Sequence, residues 1–347
     1  MNTKFKEEVP IFFAVDDNYI PFLGVALKSL MDNASKEYKY LVKVLYTCVS
    51  EANIQKIKKY ENDNFDIEFI DLTSHVEKIR DKLYTRDYFS NTTYYRLLIP
   101  ELYPEYNKAL YLDSDIIVLK DITKLYNTNI ENNLLAAAPD DVIQTIEVFQ
   151  NYAEKVVGVA SYENYFNAGI LVMNLKELRN FKFKEKFMYL LSTTKFSVAQ
   201  DQDYLNRLCK GKVVLIPKTW NKMPVSGDNI ERSKLNLVHY NLAFKPWKFD
   251  DTLYQEYFWK YAKKTEFYNQ IVDIKANYTE EDRLKDSEGD KKLRALAHIE
   301  CDCVGDDRVQ NNKVNGNAVN KNIDTVNEYF GSEDSNQFFE SFFAYEG

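Results

Sequence analysis

The sequence predicts an α/β fold built on a mostly parallel sheet, because short apolar segments alternate with segments of helical periodicity. Residues 9–15 are a continuous apolar run between charged and polar neighbours, as expected of a buried strand that ends in a polar turn. Residues 19–33 then carry apolar side chains at helical spacing, and residues 41–48 return to a strand pattern. This order favours βαβ units with right-handed crossovers.

The alternation of strand and helix patterns continues toward residue 240. Helices are predicted over residues 50–62, with Ser50 as N-cap, over residues 92–102, and from residue 201 onward. Strands are predicted over residues 66–72, 108–119, 134–138, 169–175, 213–216 and 235–240.

The organisation of the chain changes after the aromatic, helix-like residues 250–274. Residues 278–322 are rich in charged and polar side chains and contain few aromatics, which is typical of a poorly ordered or loosely packed segment. We therefore expect one α/β domain over residues 1–275. A polar C-terminal extension over residues 276–347, partly disordered or helical, would follow it.

Composition and charge exclude some classes of partner. The chain of 347 residues has a net charge of −8, so sequence-independent binding of nucleic acid is not expected. The four cysteines form no disulfide pattern, the first residues contain no secretory signal, and no apolar run is long enough to cross a membrane. We expect a cytoplasmic protein. Its aromatic residues 254–268 either pack on the domain or contact the inner face of a membrane.

Asp113, Ser114 and Asp115 interrupt the otherwise apolar strand predicted over residues 108–119. In an extended chain, side chains two residues apart project to the same side, so the two carboxylates would converge. Ionised carboxylates in a buried strand are costly unless they are paired or bind a cation. The pattern predicts a divalent cation site. A strand that ends in a turn with two solvated aspartates is the alternative.

His239 and Lys245 form a second group of candidate residues. His239 lies near the end of the predicted strand 235–240, and Lys245 follows six residues later. An imidazole together with two carboxylates suits Mn²⁺ better than Mg²⁺, while a lysine can contact a diphosphate. The alternative is a core histidine whose nitrogens are satisfied within the protein.

Two further segments carry polar side chains beside small residues or a helix start. Asn167 and Ala168 precede Gly169 and the apolar run that follows, so a ligand could approach the backbone closely there. Asp201 and Gln202 begin a helical segment and could hold hydroxyl groups. The alternatives are a plain turn before a strand and an N-cap interaction with the helix dipole.

Taken in order over about residues 11–247, these motifs resemble family 8 of the retaining glycosyltransferases. That family includes bacterial lipopolysaccharide galactosyl- and glucosyltransferases and glycogenin. The resemblance implies a catalytic domain with the GT-A fold, in which a Rossmann-like sheet binds the donor. It also implies transfer of glucose or galactose from UDP-glucose or UDP-galactose to a hydroxyl of a glycan or glycolipid acceptor. The expected cation is Mn²⁺, with Mg²⁺ as the alternative.

The resemblance also implies a role for each candidate residue. The predicted metal ligands are Asp113, Asp115 and His239. The predicted donor contacts are Ala14, Asp16 and Asn18 for the nucleoside, Arg96 for the sugar and phosphate, Lys245 for the diphosphate, and Asn167 and Ala168 for the sugar, with Ser114 as a further donor contact. The predicted catalytic residues are Asp201 and Gln202, which match the donor-site Asp-Gln pair of the family. Leu242 departs from the family pattern, which usually has glycine three residues after the ligand histidine. Close approach of that loop to the diphosphate is therefore an open question.

Two rival functions remain at this point. A sugar nucleotidyltransferase of similar fold would be expected to carry a glycine-rich basic loop after its first strand, and residues 16–19 offer none. A non-catalytic nucleotide-sugar-binding protein is disfavoured by the intact set of predicted metal ligands. For the transferase, front-face attack by the acceptor hydroxyl is favoured, since the amide of Gln202 is a poor nucleophile.

Overall fold

A computed structural model describes residues 4–77, 91–227 and 230–303. The strands in these ranges are β1 Glu8–Ala14, β2 Lys39–Tyr46, β3 Phe65–Asp71, β4 Lys108–Leu112, β5 Ile116–Val118, β6 Leu135–Pro139, β7 Phe166–Asn174, β8 Val213–Leu215 and β9 Leu237–His239. The α-helices are α1 Ile20–Asn33, α2 Glu51–Lys58, α3 Thr73–Glu77, α4 Ile99–Leu102, α5 Thr123–Tyr126, α6 Asp141–Thr145, α7 Glu147–Tyr152, α8 Leu175–Asn180, α9 Phe183–Thr193, α10 Asp201–Leu208, α11 Gln255–Ala262, α12 Tyr268–Ala276 and α13 Glu280–Asp302.

Seven strands form the main sheet, in the order β3-β2-β1-β4-β7-β6-β8. The β1 strand runs parallel to β2 and to β4, β2 runs parallel to β3, and β6 runs parallel to β8. Only β7 runs against its neighbours β4 and β6 in this sheet. The predicted α/β architecture with a mostly parallel sheet is therefore confirmed.

Both faces of the sheet are covered. Along β1, Ile11 and Phe13 point into one buried cluster, while Phe12 belongs to the cluster on the opposite face. The β4 strand alternates in the same way, with Leu110 on the first side and Tyr111 on the second. Because both faces are packed at β1 and β4, these two strands are apolar almost throughout, which explains the continuous apolar runs of the sequence. The strands β2 and β3 instead alternate between buried and more exposed residues.

Residues 108–119 do not form one strand as predicted. The chain leaves the main sheet after β4, turns through Asp113–Asp115, and continues as β5, which pairs antiparallel with β9 in a separate two-stranded sheet. The prediction was wrong because two ionised carboxylates are difficult to bury within a sheet, whereas a bend between strands lets them face a cleft. The pairing also sets His239 opposite Ile116, one residue from the acid pair.

Other boundaries differ from the sequence predictions for local reasons. Residues 91–98 form a 3-10 helix before the short α4, in place of a single helix over residues 92–102. Ser50 flanks α2 without a side-chain cap, because its backbone N–H and its hydroxyl both donate to Asp17. The β7 strand begins at Phe166, so Asn167 and Ala168 lie within the strand rather than in a turn before it.

The C-terminal extension is helical as far as the structure describes it. Residues 280–302 form α13, which opens with a capping box between Thr279 and Asp282 and buries Leu293 and Ala297. A helix is one of the two alternatives expected for this extension, and its narrow apolar stripe is easily missed among so many charges. Residues 304–347 lie outside the described residues, and the division into two domains stays a prediction.

The aromatic segment after residue 250 contributes to the core. Phe258 and Tyr261 of α11 are buried, and Phe258 packs on Trp247, which stacks on Phe22 of α1 with ring centroids 3.8 Å apart. Among the described residues, no helix combines the length and apolar character needed to span a membrane.

Candidate metal and donor site

Three side chains that are far apart in the sequence converge beside the end of β4. The Nε2 atom of His239 lies 3.2 Å from Oδ1 of Asp115 and 3.6 Å from Oδ2 of Asp113. One potential ligand atom from each of the three residues lies within 4.8 Å of the other two. Across the described ranges, this is the one such cluster of histidine, cysteine and acidic residues. The predicted metal ligands are thus brought together.

A chain of hydrogen bonds determines which nitrogen of His239 carries the proton. The backbone N–H of Gly169 donates to Oδ1 of Asn167 at 2.9 Å, so that atom is an acceptor. The side-chain NH₂ of Asn221 therefore donates to it, also at 2.9 Å. The remaining Oδ1 of Asn221 then accepts from Nδ1 of His239 at 2.9 Å. Hence Nδ1 carries a proton, and Nε2, which faces the two carboxylates, is the nitrogen placed to bind a cation.

Space for a cation beside these ligands depends on Gly169. A Cβ atom added at this position would lie 2.4 Å from Cε1 of His239 and 2.6 Å from Oδ2 of Asp113. Two carboxylates, an imidazole whose Nε2 faces them and a backbone without a Cβ atom at residue 169 together fit a divalent cation, and the mixed oxygen and nitrogen donors suit Mn²⁺. Asp113 and Asp115 supply two negative charges to the site.

Lys245 balances part of that charge. Its Nζ atom lies 2.6 Å from Oδ2 of Asp115 and donates to the carbonyl oxygen of Tyr240 at 2.6 Å. Burial alone would raise the pKa of Asp115, but Lys245 and then His239 outweigh that effect and hold the pKa well below its usual value. Asp115 is therefore ionised at neutral pH, and a lysine ammonium lies beside the ligand cluster.

Arg96 provides a second positive charge on the other side of the acid pair. It is 4% exposed, its Nη1 atom donates to the carbonyl oxygen of Ala168, and it lies 3.3 Å from Oδ1 of Asp113. Its Nε atom donates to the carbonyl oxygen of Thr93 and lies 2.8 Å from Oδ2 of Asp201. The guanidinium thus links one predicted metal ligand to the start of α10.

Gln202 is held by hydrogen bonds at both ends of its amide. The Oε1 atom accepts from the backbone N–H of Ala168 at 2.9 Å and from Nδ2 of Asn167 at 3.1 Å. The Nε2 atom donates to Oδ2 of Asp140 at 3.1 Å and to the hydroxyl of Tyr165 at 3.3 Å. These side chains form a polar network whose groups can exchange partners for sugar hydroxyls.

Sequence analysis missed Asp140 and Asn221. Asp140 follows β6 and caps α6 by accepting from the backbone N–H groups of Val142 and Ile143, while its other oxygen accepts from Asn167. An aspartate between an apolar strand and a helix start was a readable signal for this role. Asn221 lies in an irregular segment between strands, and nothing local distinguishes it.

The two acidic residues of α10 differ in their surroundings. Burial raises the pKa of Asp201 to about 6, although Arg96 opposes the rise. Burial raises the pKa of Asp203 to about 7, although Asp203 accepts hydrogen bonds from the hydroxyls of Tyr165 and Tyr152 and from the N–H of Ala199. Asp201 therefore adjoins the ligand cluster through Arg96, whereas Asp203 supports the segments around α10.

The backbone that leads into α10 is strained. Gln200 has φ 47° and ψ −118°, a conformation that is rarely adopted by a residue with a side chain. Such a residue typically costs about 1–3 kcal/mol, and it persists only where neighbouring contacts hold it. Here the Ala199–Asp203 hydrogen bond, 2.8 Å long, is one of those contacts. The strained turn sets the directions in which Asp201 and Gln202 enter the site.

The predicted nucleoside contacts are only partly gathered at the cleft. Ala14, Asp16 and Ser114 line the same cleft as the ligand cluster. Asp16 also accepts from the backbone N–H groups of Asn18 and Tyr19, which shapes the turn after β1. Asn18 itself is exposed and does not line the cleft. Tyr19, which sequence analysis did not select, does line it.

Leu242 keeps the backbone conformation that glycine would favour. Its φ is +57°, in the left-handed region, which costs roughly 1–2 kcal/mol for a residue with a Cβ atom. The turn therefore keeps a shape suited to glycine while a leucine side chain lines the cleft. The loop still carries Lys245 to within 2.6 Å of Asp115, so it does not swing away from the site.

A mostly parallel sheet with helices on both faces, and with an acid pair at the end of a central strand, defines a glycosyltransferase of the GT-A fold. The family model "Glycosyl transferase family 8" matches residues 10–251. The chain therefore belongs to glycosyl transferase family 8.

Similar proteins agree with this assignment. A putative glycosyltransferase of Haemophilus influenzae is 30% identical over 229 residues, which cover 66% of this chain and 67% of the relative. Lipopolysaccharide 1,2-glucosyltransferase of Escherichia coli is 26% identical over 263 residues, covering 71% of this chain and 75% of the relative.

Two solved structures support the fold assignment. The bifunctional glycosyltransferase WbbM has a TM-score of 0.69 and 26% identity over 80% of this chain, and the match spans 53% of that longer protein. The galactosyltransferase LgtC, solved in complex with donor and acceptor sugar analogs, has a TM-score of 0.62 and 29% identity. That match covers 80% of this chain and 100% of LgtC.

Proposed function

We propose that this glycosyltransferase transfers glucose or galactose, with retention of anomeric configuration, from UDP-glucose or UDP-galactose to a hydroxyl of a glycan or glycolipid. We propose Mn²⁺ as its cation, with Mg²⁺ as the alternative. The observation that carries this proposal is the convergence of Asp113, Asp115 and Nε2 of His239, with Lys245 alongside. The names of the relatives, a glucosyltransferase and a galactosyltransferase, support the two donor sugars.

The charged residues would act on the leaving group. A divalent cation held by Asp113, Asp115 and His239 would supply Lewis-acid stabilisation of the diphosphate. Lys245, whose ammonium pairs with Asp115, would donate a charge-assisted hydrogen bond to a phosphate oxygen of the donor. Arg96 contributes a fixed positive charge, because it is buried against Tyr111 with its Cζ 4.4 Å from the ring centroid.

The polar network around Gln202 would hold the donor sugar. Asn167 and Asp140 each contact Gln202, and all three side chains line the cleft. Hydroxyl groups of a hexose can replace these mutual hydrogen bonds at little cost in free energy, because the side chains of the network are already oriented. Asp201, 2.8 Å from Nε of Arg96, would position that guanidinium.

Retention is proposed to occur by front-face attack. The amide oxygen of Gln202 already accepts two hydrogen bonds, which makes a poor nucleophile poorer still. In the proposed reaction, the bond between the anomeric carbon and the UDP oxygen breaks, the acceptor oxygen bonds to the same face of that carbon, and its proton passes to a UDP phosphate oxygen. The departing diphosphate retains the bond's electron pair.

We further propose that the protein acts in the cytoplasm, in bacterial polysaccharide or lipopolysaccharide biosynthesis. A peripheral contact with the inner face of the membrane would be needed when the acceptor is lipid-linked. The absence of a nucleic-acid partner remains an expectation from the acidic net charge of −8.

The test is UDP release from UDP-glucose and from UDP-galactose, measured with Mn²⁺, with Mg²⁺ and with EDTA. We expect release from one donor with Mn²⁺ and none with EDTA. We expect Asp115→Asn to lower turnover at least about 100-fold, because an amide binds the cation weakly. Asp251→Asn is the matched control, since Asp251 is exposed and lies outside the cleft. Proton NMR of the product reports whether the anomeric configuration is retained.

The same experiment separates the rival functions. Full turnover by Asp115→Asn, or turnover that EDTA leaves unchanged, would contradict the proposed site. Tight binding of UDP without release from either donor, across a panel of acceptor sugars, would instead favour a nucleotide-sugar-binding role. Formation of pyrophosphate from UTP and a sugar phosphate would favour a nucleotidyltransferase.

A further inference from the structure

The α13 helix lines part of the cleft and makes a polar contact near each of its ends. Near its start, the carboxylate of Asp286 lies 2.7 Å from Nζ of Lys248, three residues after the predicted diphosphate contact Lys245. Near its end, the hydroxyl of Ser197 donates to Glu300 at 2.7 Å, just before the strained turn into α10. The helix therefore connects the loop on the proposed diphosphate side of the cleft to the segment beside the proposed sugar network.

The middle of α13 faces the cleft. Asp290 and Leu293 line it, four and seven residues after Asp286, which places all three on one side of the helix. Leu293 is 7% exposed, and Oδ2 of Asp290 accepts a hydrogen bond from Nε of Arg294 at 3.0 Å. The cleft thus gains an aliphatic side chain and a carboxylate from outside the matched family region, which ends at residue 251.

Gly289 precedes Asp290 in α13, and the space beside its Cα atom is open. It is buried in the interior of α13, where glycine weakens a helix. Yet an added Cβ would have no heavy atom within 4 Å, apart from the excluded neighbours and helix backbone. Packing against a neighbouring element therefore does not explain the glycine. The space beside it is open, and Asp290 lines the cleft although Gly289 itself does not.

One region of the cleft has no proposed role in donor binding. The proposed nucleoside, cation and donor-sugar contacts occupy the side formed by β1, β4, β7 and α10. The remaining lining is mostly apolar and is contributed by Val142, Ile143, Phe149, Val198 and Leu293. It adjoins Asp140, which belongs to the proposed sugar network. An acceptor must reach the anomeric carbon through this remaining region, since the donor fills the other.

We propose that Asp290 and Leu293 of α13 form one wall of the acceptor-sugar subsite, with Leu293 against an apolar ring face and Asp290 accepting a hydrogen bond from a ring hydroxyl, while Gly289 leaves space beside them. This inference rests on the proposed function. It makes the C-terminal helix a determinant of acceptor choice. A pyranoside suits the wall, because such sugars present C–H groups on one face and hydroxyls at the edge.

The test uses saturation-transfer NMR on the full chain with UDP and Mn²⁺. The probes are the methyl β-glycosides of galactose, glucose and N-acetylglucosamine. We expect at least one glycoside to bind, and Gly289→Phe and Asp290→Asn each to weaken that binding at least about tenfold. UDP affinity, measured separately by calorimetry, should stay within about twofold. Glu288→Phe is the matched control, because it adds the same ring at the neighbouring exposed position of α13. Circular dichroism should show helix content preserved in every variant.

Each outcome bears on the proposal. Loss of glycoside binding in Gly289→Phe and Asp290→Asn, but not in Glu288→Phe, supports it. Unchanged glycoside binding in both Gly289→Phe and Asp290→Asn overturns the proposal. So does a wild-type protein that binds UDP with Mn²⁺ but binds none of the three glycosides. Failure of the wild-type protein to bind UDP at all would overturn the proposed function itself, and the two failures are distinguishable because UDP binding is measured independently.

Discussion

Asn221 accepts a hydrogen bond from His239 and at the same time donates one to Asn167, both at 2.9 Å. One buried amide therefore joins the imidazole of the proposed cation site to the network proposed to hold the donor sugar. Because Oδ1 of Asn167 also accepts from the backbone of Gly169, neither asparagine can be reversed without placing two donors or two acceptors face to face. The orientation of the imidazole in the proposed cation site and that of the amides in the proposed sugar network therefore depend on each other.

Asn221→Leu should weaken Mn²⁺ binding by about 10–100-fold, because the imidazole loses the partner that fixes its tautomer and ring orientation. Titration of Mn²⁺ followed by electron paramagnetic resonance measures this affinity directly. Asn206→Leu is the matched control. Asn206 is equally buried, at 1% exposed, and bonds to the backbone of Phe166 without touching His239. We expect Asn206→Leu to lower stability and leave the Mn²⁺ affinity of the folded protein unchanged. Equal losses of affinity in both variants would contradict the positioning role.

Gly169→Ala should abolish measurable Mn²⁺ binding. The new methyl group would lie 2.4 Å from the His239 ring and 2.6 Å from the Asp113 carboxylate, so one of these ligands must move away. The contrasting variant is Gly211→Ala. Gly211 has φ +72° with no neighbour within 4 Å of an added Cβ, so alanine there strains only the backbone. We expect Gly211→Ala to lower the free energy of unfolding by roughly 1–2 kcal/mol and to keep Mn²⁺ affinity. Retained Mn²⁺ binding in Gly169→Ala would show that the ligands lie elsewhere.

Lys245→Met should shift the affinities for cation and nucleotide in opposite directions. Removing the ammonium beside Asp115 eliminates a competing positive charge, so Mn²⁺ affinity should rise or stay constant. The affinity for UDP should fall by about 10–100-fold, because a charge-assisted contact to the diphosphate is lost. Calorimetric titration of each ligand measures both effects, with Lys260→Met at an exposed position as the control. A parallel fall in both affinities would indicate that Lys245 is only structural.

The sequence was a good guide where the relevant interactions are local. The strands β1, β2 and β3 and the helix α10 were predictable from local patterns. The β1 strand is buried on both faces and is a continuous apolar run, β2 and β3 alternate between buried and more exposed residues, and a helix start attracts acidic residues. The division of residues 108–119 into β4 and β5 was not predictable in the same way. It depends on pairing with β9, whose residues 237–239 are far along the chain.

The residues of the candidate site were likewise only partly predictable from the sequence. Asp113, Asp115 and His239 were selected from their residue types and their place at strand ends. Asn221 gave no signal, because its importance comes from two contacts, with residues 18 and 54 positions away. The cleft-facing side of α13 was hidden for a different reason, namely that Asp290 and Leu293 follow a long run of mostly charged residues at the start of this helix. Tertiary contacts, rather than local propensity, determine these features.

Stability should depend on pH through Asp203. Burial raises the pKa of this carboxyl from an ordinary 3.8 to about 7 in the folded protein, so the folded state holds a proton that the unfolded state releases. The contribution of Asp203 to stability therefore falls as pH rises from about 4 through about 7. Asp203→Asn keeps an oxygen acceptor for Tyr165 and removes this titration.

The difference in unfolding free energy between Asp203→Asn and the wild-type protein should change with pH accordingly. Between pH 5 and pH 8 it should move in favour of the variant by on the order of 2 kcal/mol, since about two pKa units of the shift are traversed in that interval. Urea unfolding at each pH measures the difference. Asp251→Asn, at an exposed position, should give a difference that is independent of pH. A pH-independent difference for Asp203→Asn as well would mean that the buried carboxyl is ionised throughout, held by Tyr165, Tyr152 and Ala199.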